Sequence, residues 1–230
     1  MQRFLERLAW PDPLPEGEQN RLIKSVSQTV LFNAGDEIVP AETPVDFSSI
    51  ILDGFCCRQQ VLKTGSRQIT AFHVPMLKTL LDSAVALTAC RVAIVPHERL
   101  REITIVQPHL ARMLWKSTLI DASVYRQWLV CLGRQSALSR LAHLFCEFYL
   151  RLEVVGLTKQ MSYPLPVTQS DLSDAMGLSL VHTNRTCAQL RQKGLATFAQ
   201  RTVTIHDWER LQEAAEFDPE YLHLGNHHRR

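Results

Sequence analysis

Between residues 30 and 96 the apolar positions come in short runs cut by turn-forming residues. Val30-Leu31-Phe32 precedes Asn33-Ala34-Gly35-Asp36, Glu37-Ile38-Val39 runs into the stretch Pro40 to Pro44, and Phe47 to Leu52 stops at Asp53-Gly54, a strong hairpin signal. Phe55 to Leu62, a turn over Lys63 to Ser66, Arg67 to Val74, Ala84 to Leu87 and Arg91 to Val95 continue the series. Strands this short at this spacing predict an antiparallel β-roll of the jelly-roll kind, cupin-like in outline. Ahead of it the pattern predicts a short helix, a bend at Pro11, Pro13 and Pro15, and a second helix from about Pro15 to Val26.

From Pro96 the period becomes helical. Leu110, Leu114, Ser117, Asp121, Val124, Trp128 and Cys131 follow alternating steps of four and three, an a/d-like seam. The helix that carries them, Pro108 to Leu132, would be roughly 40 Å long at about 1.5 Å per residue. A helix of that length overruns a small domain unless another helix packs along it, so the seam predicts a homodimer. Ser117 and Asp121 are polar seam positions of the kind that fix register. Gly133 offers a break, after which Leu138, Leu141, Ala142, Leu144, Phe145, Phe148 and Leu152 outline a second amphipathic helix.

Beyond Tyr163 to Pro166, a loop by its two prolines, Thr168 is a helix N-cap and Asp171 approximates a capping box. Leu172, Ala175 and Met176 form the inner face of a helix that Gly177 ends, because glycine accepts the left-handed cap. Ser179 caps the next helix, which runs to Gly194, with Thr183 and Leu190 turned inward and Leu178 beneath the turn. Two short helices joined through a glycine make a helix-turn-helix, and the recognition helix falls at about 179–193. Leu195 to Phe198 and Thr202 to Ile205, a hairpin around Ala199-Gln200-Arg201, add a wing. The expected architecture is therefore α+β: a β-roll sensor or effector domain over 1–107, a long dimerisation helix and hinge over 108–133, and a winged helix-turn-helix over 134–230.

Charge sharpens this division. The chain has 25 Lys and Arg against 23 Asp and Glu, a net +2, yet from Gly133 to Ile205 eight bases face four acids. Phosphate binding needs such a local surplus. On the outward face of the recognition helix Arg185 suits guanine, Asn184 suits adenine, and Val181 suits a thymine methyl, with His182 beside them as a fourth base-reading candidate. Thr168, Gln169, Ser179, Arg191, Lys193 and Arg201 are the candidates for phosphate contacts.

At 46% hydrophobic residues the chain is no disordered polymer, and no apolar run approaches the roughly 20 residues that span a bilayer. Glu6 and Arg7 interrupt any signal-peptide core, so a cytoplasmic location without a membrane partner is expected. The six cysteines, at 56, 57, 90, 131, 146 and 187, form no Cys-x-x-Cys pair and read as reduced thiols packed as small hydrophobes. No metal, cofactor or catalytic group is expected. The β-roll offers only His73, with His97 just past it, to a cupin-like metal-dependent enzyme, and no nucleophile–base pair stands out. Cys187, two residues after Arg185, supplies the other alternative, a redox-responsive regulator, against plain packing with Thr183 and Leu190.

Across almost its whole length the chain resembles the Crp/Fnr family of bacterial transcription regulators. Gly35-Asp36, Pro40-Ala41, Asp53-Gly54 and Arg67 to Pro75 resemble that family's β-roll, Trp128 to Ala137 with Arg140-Leu141-Ala142 its dimer helix and hinge, and Thr168 to Arg185 its recognition unit. The resemblance implies a homodimer on a palindromic double-stranded DNA operator with half-sites about one helical turn apart, Arg185 as a base reader, and RNA polymerase as a partner. Three departures qualify it. The interval from Pro75 to Ser83 is too short for the family's cyclic-nucleotide cassette and lacks its Gly-Glu and arginine, no cysteine precedes Cys56 to hold an iron–sulfur cluster, and Val181-His182 stand where many members have glutamate. The effector and the operator sequence are thus left open.

Overall fold

Eight strands form because residues 28–96 alternate between turn formers and short apolar runs: β1 (Gln28–Phe32), β2 (Glu37–Val39), β3 (Phe47–Asp53), β4 (Cys56–Val61), β5 (Arg67–His73), β6 (Lys78–Thr79), β7 (Ala84–Ala86) and β8 (Cys90–Pro96). The computed structural model describes residues 1, 4–5, 8, 14–40, 44–73, 78–79 and 83–224. Of the predicted N-terminal helix Phe4, Leu5 and Leu8 are described, helical and buried; Pro11, Pro13 and most of the Pro75 to Ser83 interval lie outside the described residues. The chain divides into two units, residues 1–60 with 70–121 and residues 61–69 with 122–230.

In the first unit two four-stranded sheets, ordered β1-β8-β3-β6 and β2-β7-β4-β5, share one core of Ile38, Val39, Ile51, Cys56, Ala84, Ala86, Cys90, Val92 and Ile94. Cys56, Cys57 and Cys90 are buried as small hydrophobes, and burial pushes the Cys56 thiol up. The Asp53-Gly54 turn tolerates no side chain: Gly54 sits at φ +87°, and a Cβ there would come within 2.3 Å of the Ala89 carbonyl oxygen. Helix α1 (Glu16–Lys24) precedes the sheets and α2 (His97–Val106) follows them.

Helix α3 (Pro108–Arg134) is the long helix the pattern predicts, with two corrections. Gly133 does not end it. The glycine lies within the helix with open space around its missing side chain, where it costs only about 1 kcal/mol of helix propensity. The helix stops because Ser136 caps the next one, accepting the Ser139 amide at 3.2 Å. The predicted seam is also largely taken up within the chain. Leu110 (0% exposed), Leu114, Trp128 and Cys131 (6% each) are consumed by the chain's own core, while Ser117, Asp121 and Val124 are half-buried. A four–three spacing marks an apolar stripe whatever packs on it, and here the chain itself does. The apolar side chains left in solvent are Trp115 (67%), Leu119 (55%), Leu129 (72%) and Val130 (53%).

The second unit is built on α4 (Ala137–Glu153), buried along most of its length. Around it stand β9 (Ser162–Pro164), α5 (Gln169–Met176), α6 (Leu180–Gln192), β10 (Ala196–Ala199), β11 (Thr202–Ile205), α7 (Trp208–Ala215) and a 3-10 turn (Pro219–Leu222). The Tyr163 to Pro166 stretch, expected as loop, supplies strand β9. It pairs at the edge of a β10-β11-β9 sheet with Pro164 opposite Thr202, where proline's missing N–H interrupts no ladder. Tyr163 is buried, and its hydroxyl donates to the Phe145 carbonyl at 2.8 Å, pinning the sheet to α4.

Candidate DNA-binding site

The two helices of the motif are set by reciprocal caps. Thr168 Oγ1 accepts the Asp171 amide at 3.0 Å, and Asp171 Oδ2 accepts the Thr168 amide at 2.8 Å and its hydroxyl at 2.7 Å. Gly177 ends α5 at φ +62°, and its amide bonds the Ser173 carbonyl, as does that of Leu178. Ser179 Oγ then accepts the His182 amide at 3.2 Å to begin α6. Arg140 braces the turn from beneath, donating to the carbonyls of Met176 at 2.9 Å and Gln135 at 3.0 Å.

These caps fix which residues of α6 face outward. Thr183, Thr186 and Leu190 are buried against the unit. Val181 is 79% exposed, Asn184 and Arg185 are exposed and His182 is half-buried. Val181, Asn184 and Arg185 are related by i,i+3 and i,i+4, so the base-reading candidates come together on one face. Arg191 and Lys193 are exposed at the far end of α6, and Arg201 is exposed at the wing tip, where Gln200 and Arg201 both have positive φ (50° and 57°) as a tight two-residue turn requires. Two of the phosphate candidates differ from what the sequence suggests. The Thr168 hydroxyl proton is spent on Asp171, leaving that hydroxyl no donor for a phosphate, whereas Ser179 accepts through its oxygen and keeps its proton free. Gln169 is half-buried.

Thr183 is fully buried, and its hydroxyl has no hydrogen-bond partner among the described residues. Exchanging it for valine keeps the shape and removes an unmet polar group, so Thr183→Val should raise unfolding stability by about 1 kcal/mol in a denaturant titration. Cys187 is half-buried beside this face, and burial pushes its thiol up to about 11. The thiol therefore stays protonated near neutral pH, the reverse of the reactive thiolate that the redox alternative requires.

A buried polar network holds α4 in place. The Glu147 side chain is fully buried: Oε1 accepts from Arg151 Nη1 at 2.8 Å, and Oε2 accepts from Trp128 Nε1 at 3.0 Å and from the Tyr221 hydroxyl at 2.8 Å. His143 Nε2 lies 3.0 Å from the same tyrosine oxygen. Because the single tyrosine proton goes to Glu147, His143 must donate through Nε2. Burial lowers the His143 pKa, against the opposing charge of Glu147, so the ring is neutral. The network joins α3 through Trp128, α4, and the C-terminal 3-10 turn through Tyr221. Its members are separated by up to 93 positions, and the sequence signal that could have found it is the spacing of His143, Glu147 and Arg151 along one face of an otherwise apolar helix.

Among the described residues no three His, Cys, Asp or Glu side chains are placed to hold a metal ion, and no helix is long and apolar enough to cross a membrane. His73, the histidine the enzyme alternative turned to, is buried on β5.

Capped helices joined by a left-handed glycine, followed by a three-stranded sheet with a two-residue tip, constitute a winged helix-turn-helix, a class of DNA-binding proteins. A Crp-like helix-turn-helix domain matches residues 139–214. The transcriptional activator protein FnrL of Cereibacter sphaeroides is 23% identical over 214 residues, 88% of this chain and 86% of the relative. The nitrogen fixation regulation protein FixK of Bradyrhizobium diazoefficiens is 25% identical over 205 residues, 85% of each. Among solved structures FixK2 from Bradyrhizobium japonicum shares the fold at a TM-score of 0.72 and 24% identity, covering 81% of this chain and 96% of that one. A CooA mutant from Carboxydothermus hydrogenoformans shares it at a TM-score of 0.70 and 12% identity, covering 84% and 89%. Residues 139–214 thus match a Crp-like helix-turn-helix domain, and over most of its length the chain is similar to transcriptional activators and nitrogen fixation regulators and shares the fold of FixK2 and CooA.

Proposed function

We propose that the chain works as a homodimer on a two-fold symmetric operator, with α6 of each copy in a major groove and half-sites about one helical turn apart. The observation that carries this reading is the solvent-facing row of Val181, Asn184 and Arg185 on a helix held at both ends by caps. Arg185 reads guanine, Asn184 adenine, and Val181 the methyl of thymine, with His182 at their edge. Ser179, Arg191, Lys193 and Arg201 meet phosphates through side chains and Gln169 through its backbone amide at the start of α5, whereas Thr168, whose amide and hydroxyl both donate to Asp171, makes no phosphate contact. Residues 1–107 act as the sensor for a signal of unassigned chemistry, 108–133 as the dimer helix and 134–230 as the reader. Relatives named as transcriptional activators support RNA polymerase as a partner. Selection of bound DNA from a random pool tests the whole reading. The expected product is a palindrome with a guanine and a thymine in each half-site; an asymmetric product, or none, would overturn it.

The second copy packs along the outer face of α3, on Trp115, Leu119, Leu129 and Val130, since the other apolar face is spent internally. Exposed side chains of this size on a 27-residue helix are the kind a partner helix covers. Trp115→Asp should weaken the dimer about tenfold or more in sedimentation equilibrium, whereas Ser117→Ala, on the half-buried inner side, should leave it unchanged.

A further inference from the structure

The tip of the β4–β5 hairpin, residues 61–69, belongs to the second unit. Arg67, the first residue of β5, carries the contact there. Its Nη2 lies 2.5 Å from Asp171 Oδ1 and its Nε 2.6 Å from Asp174 Oδ2, so one planar guanidinium bridges two carboxylates spaced i,i+3 on α5. Next to it Gln68 Nε2 donates to the Ala175 carbonyl at 3.3 Å. All three charged side chains are largely shielded, at 28%, 12% and 25% exposure, so water screens the pairs less than at an open surface. Asp171 is also the carboxylate that closes the capping box on Thr168. Burial alone would raise its pKa; the Thr168 bonds and Arg67 outweigh that and hold the carboxyl below its ordinary range.

We propose that Arg67 is a latch: it positions the first helix of the helix-turn-helix from strand β5 and thereby sets DNA affinity without touching DNA. This rests on the DNA-binding reading. Strand β5 is continuous from Arg67 to His73, and residues 70–73 belong to the first unit. A shift of this strand along its length moves the guanidinium off its two acceptors. With the fork released, α5 and its caps sample more placements, the binding-competent one becomes a smaller fraction, and apparent affinity falls by that fraction. The occupant of the latch is this chain's own strand, and the input is whatever displaces β5.

The test uses the full-length protein and an operator recovered from random-pool selection. Affinities of the parent, Arg67→Ala, Arg67→Lys, Asp174→Ala and the Arg67→Ala/Asp174→Ala double variant are measured across a salt series, with thermal unfolding to establish that each is folded. Both alanine variants should bind about fivefold or more weakly, the double variant no more weakly than the poorer single, and the slope of log affinity against log salt should match the parent's. Arg67→Lys, which keeps the charge but cannot fork, should fall between. If Arg67→Ala lowers the salt slope by about one, Arg67 is a phosphate contact and the latch is wrong. Opposite signs for Arg67→Ala and Asp174→Ala, with Arg67→Lys equal to the parent, would reduce the effect to bulk charge and also overturn it. Unchanged affinity in the variants would sink the latch alone; a parent that binds no selected DNA would sink the DNA-binding reading with it.

Discussion

Glu147→Ala is expected to destabilise the second unit by about 3–5 kcal/mol, because it removes one member of a buried pair and leaves the Arg151 guanidinium, itself 6% exposed, without its carboxylate. The same substitution removes the acceptor of two further donors, Trp128 Nε1 and the Tyr221 hydroxyl. Urea unfolding followed by tryptophan fluorescence measures it directly, since Trp128 reports on the site. A loss under about 1 kcal/mol would mean that the donors find other partners and that the network is not what ties α3, α4 and the C-terminal turn together. Leucine at 147 is the informative companion: it fills the volume, so a loss smaller than alanine's would separate the cavity from the missing charge.

The network also makes stability depend on pH. Native His143 is neutral because burial holds its pKa below the ordinary value of 6.5, so on acidification the unfolded chain takes up the proton first. This contribution is complete above about pH 6.5 and declines as pH falls from there towards the lowered native pKa. The thermal midpoint should therefore drop between pH 7.5 and 5.5, and drop less in His143→Gln, whose amide can still donate to Tyr221. Equal slopes in the two proteins would assign the dependence to other groups.

Arg185→Ala should cost about 1–3 kcal/mol of operator binding, roughly fivefold to 150-fold, while leaving affinity for unrelated DNA nearly unchanged. The side chain is exposed on α6, one turn beyond Val181, and takes no part in the caps that hold the helix. Its removal therefore deletes the proposed base contact and not the fold. Gel-shift titration on the selected operator and on a scrambled duplex separates the two effects. A proportionate loss on both duplexes would make Arg185 a phosphate contact; no loss on either would remove it from the interface.

Much of this was legible in the chain. The turn chemistry at Asp53-Gly54 and Lys63 to Ser66 marked the hairpins, Thr168 and Asp171 announced a capping box that forms as written, and Gly177 ended its helix where its left-handed conformation requires. These features depend on residues within a few positions of one another, so local sequence suffices to specify them. Strand β9 was not legible, because Pro164 within it and Pro166 just beyond read as loop until β11 supplies an edge on which proline is harmless.

The long helix shows where local pattern stops. Its length and one apolar stripe were read from the sequence, but the alternation of four and three steps carries no label saying what it packs against. Only the folded chain assigns Leu110, Leu114, Trp128 and Cys131 to its own core and leaves Trp115, Leu119, Leu129 and Val130 in solvent. The same holds for charge. Eight bases against four acids marked 133–205 as the basic stretch from composition alone, yet which bases remain available depended on the fold: within that stretch Arg151 is buried on Glu147 and Arg140 caps α5, and outside it Arg67, more than a hundred positions before Asp171, is committed to that carboxylate. The sequence by itself determined most of the elements, the caps of α5 and α6 and the outward row of α6, since these are set by neighbours along the chain. The tertiary structure decided which apolar face is free and which charges are spent, because burial and ion pairing are set by residues that meet only when the chain folds.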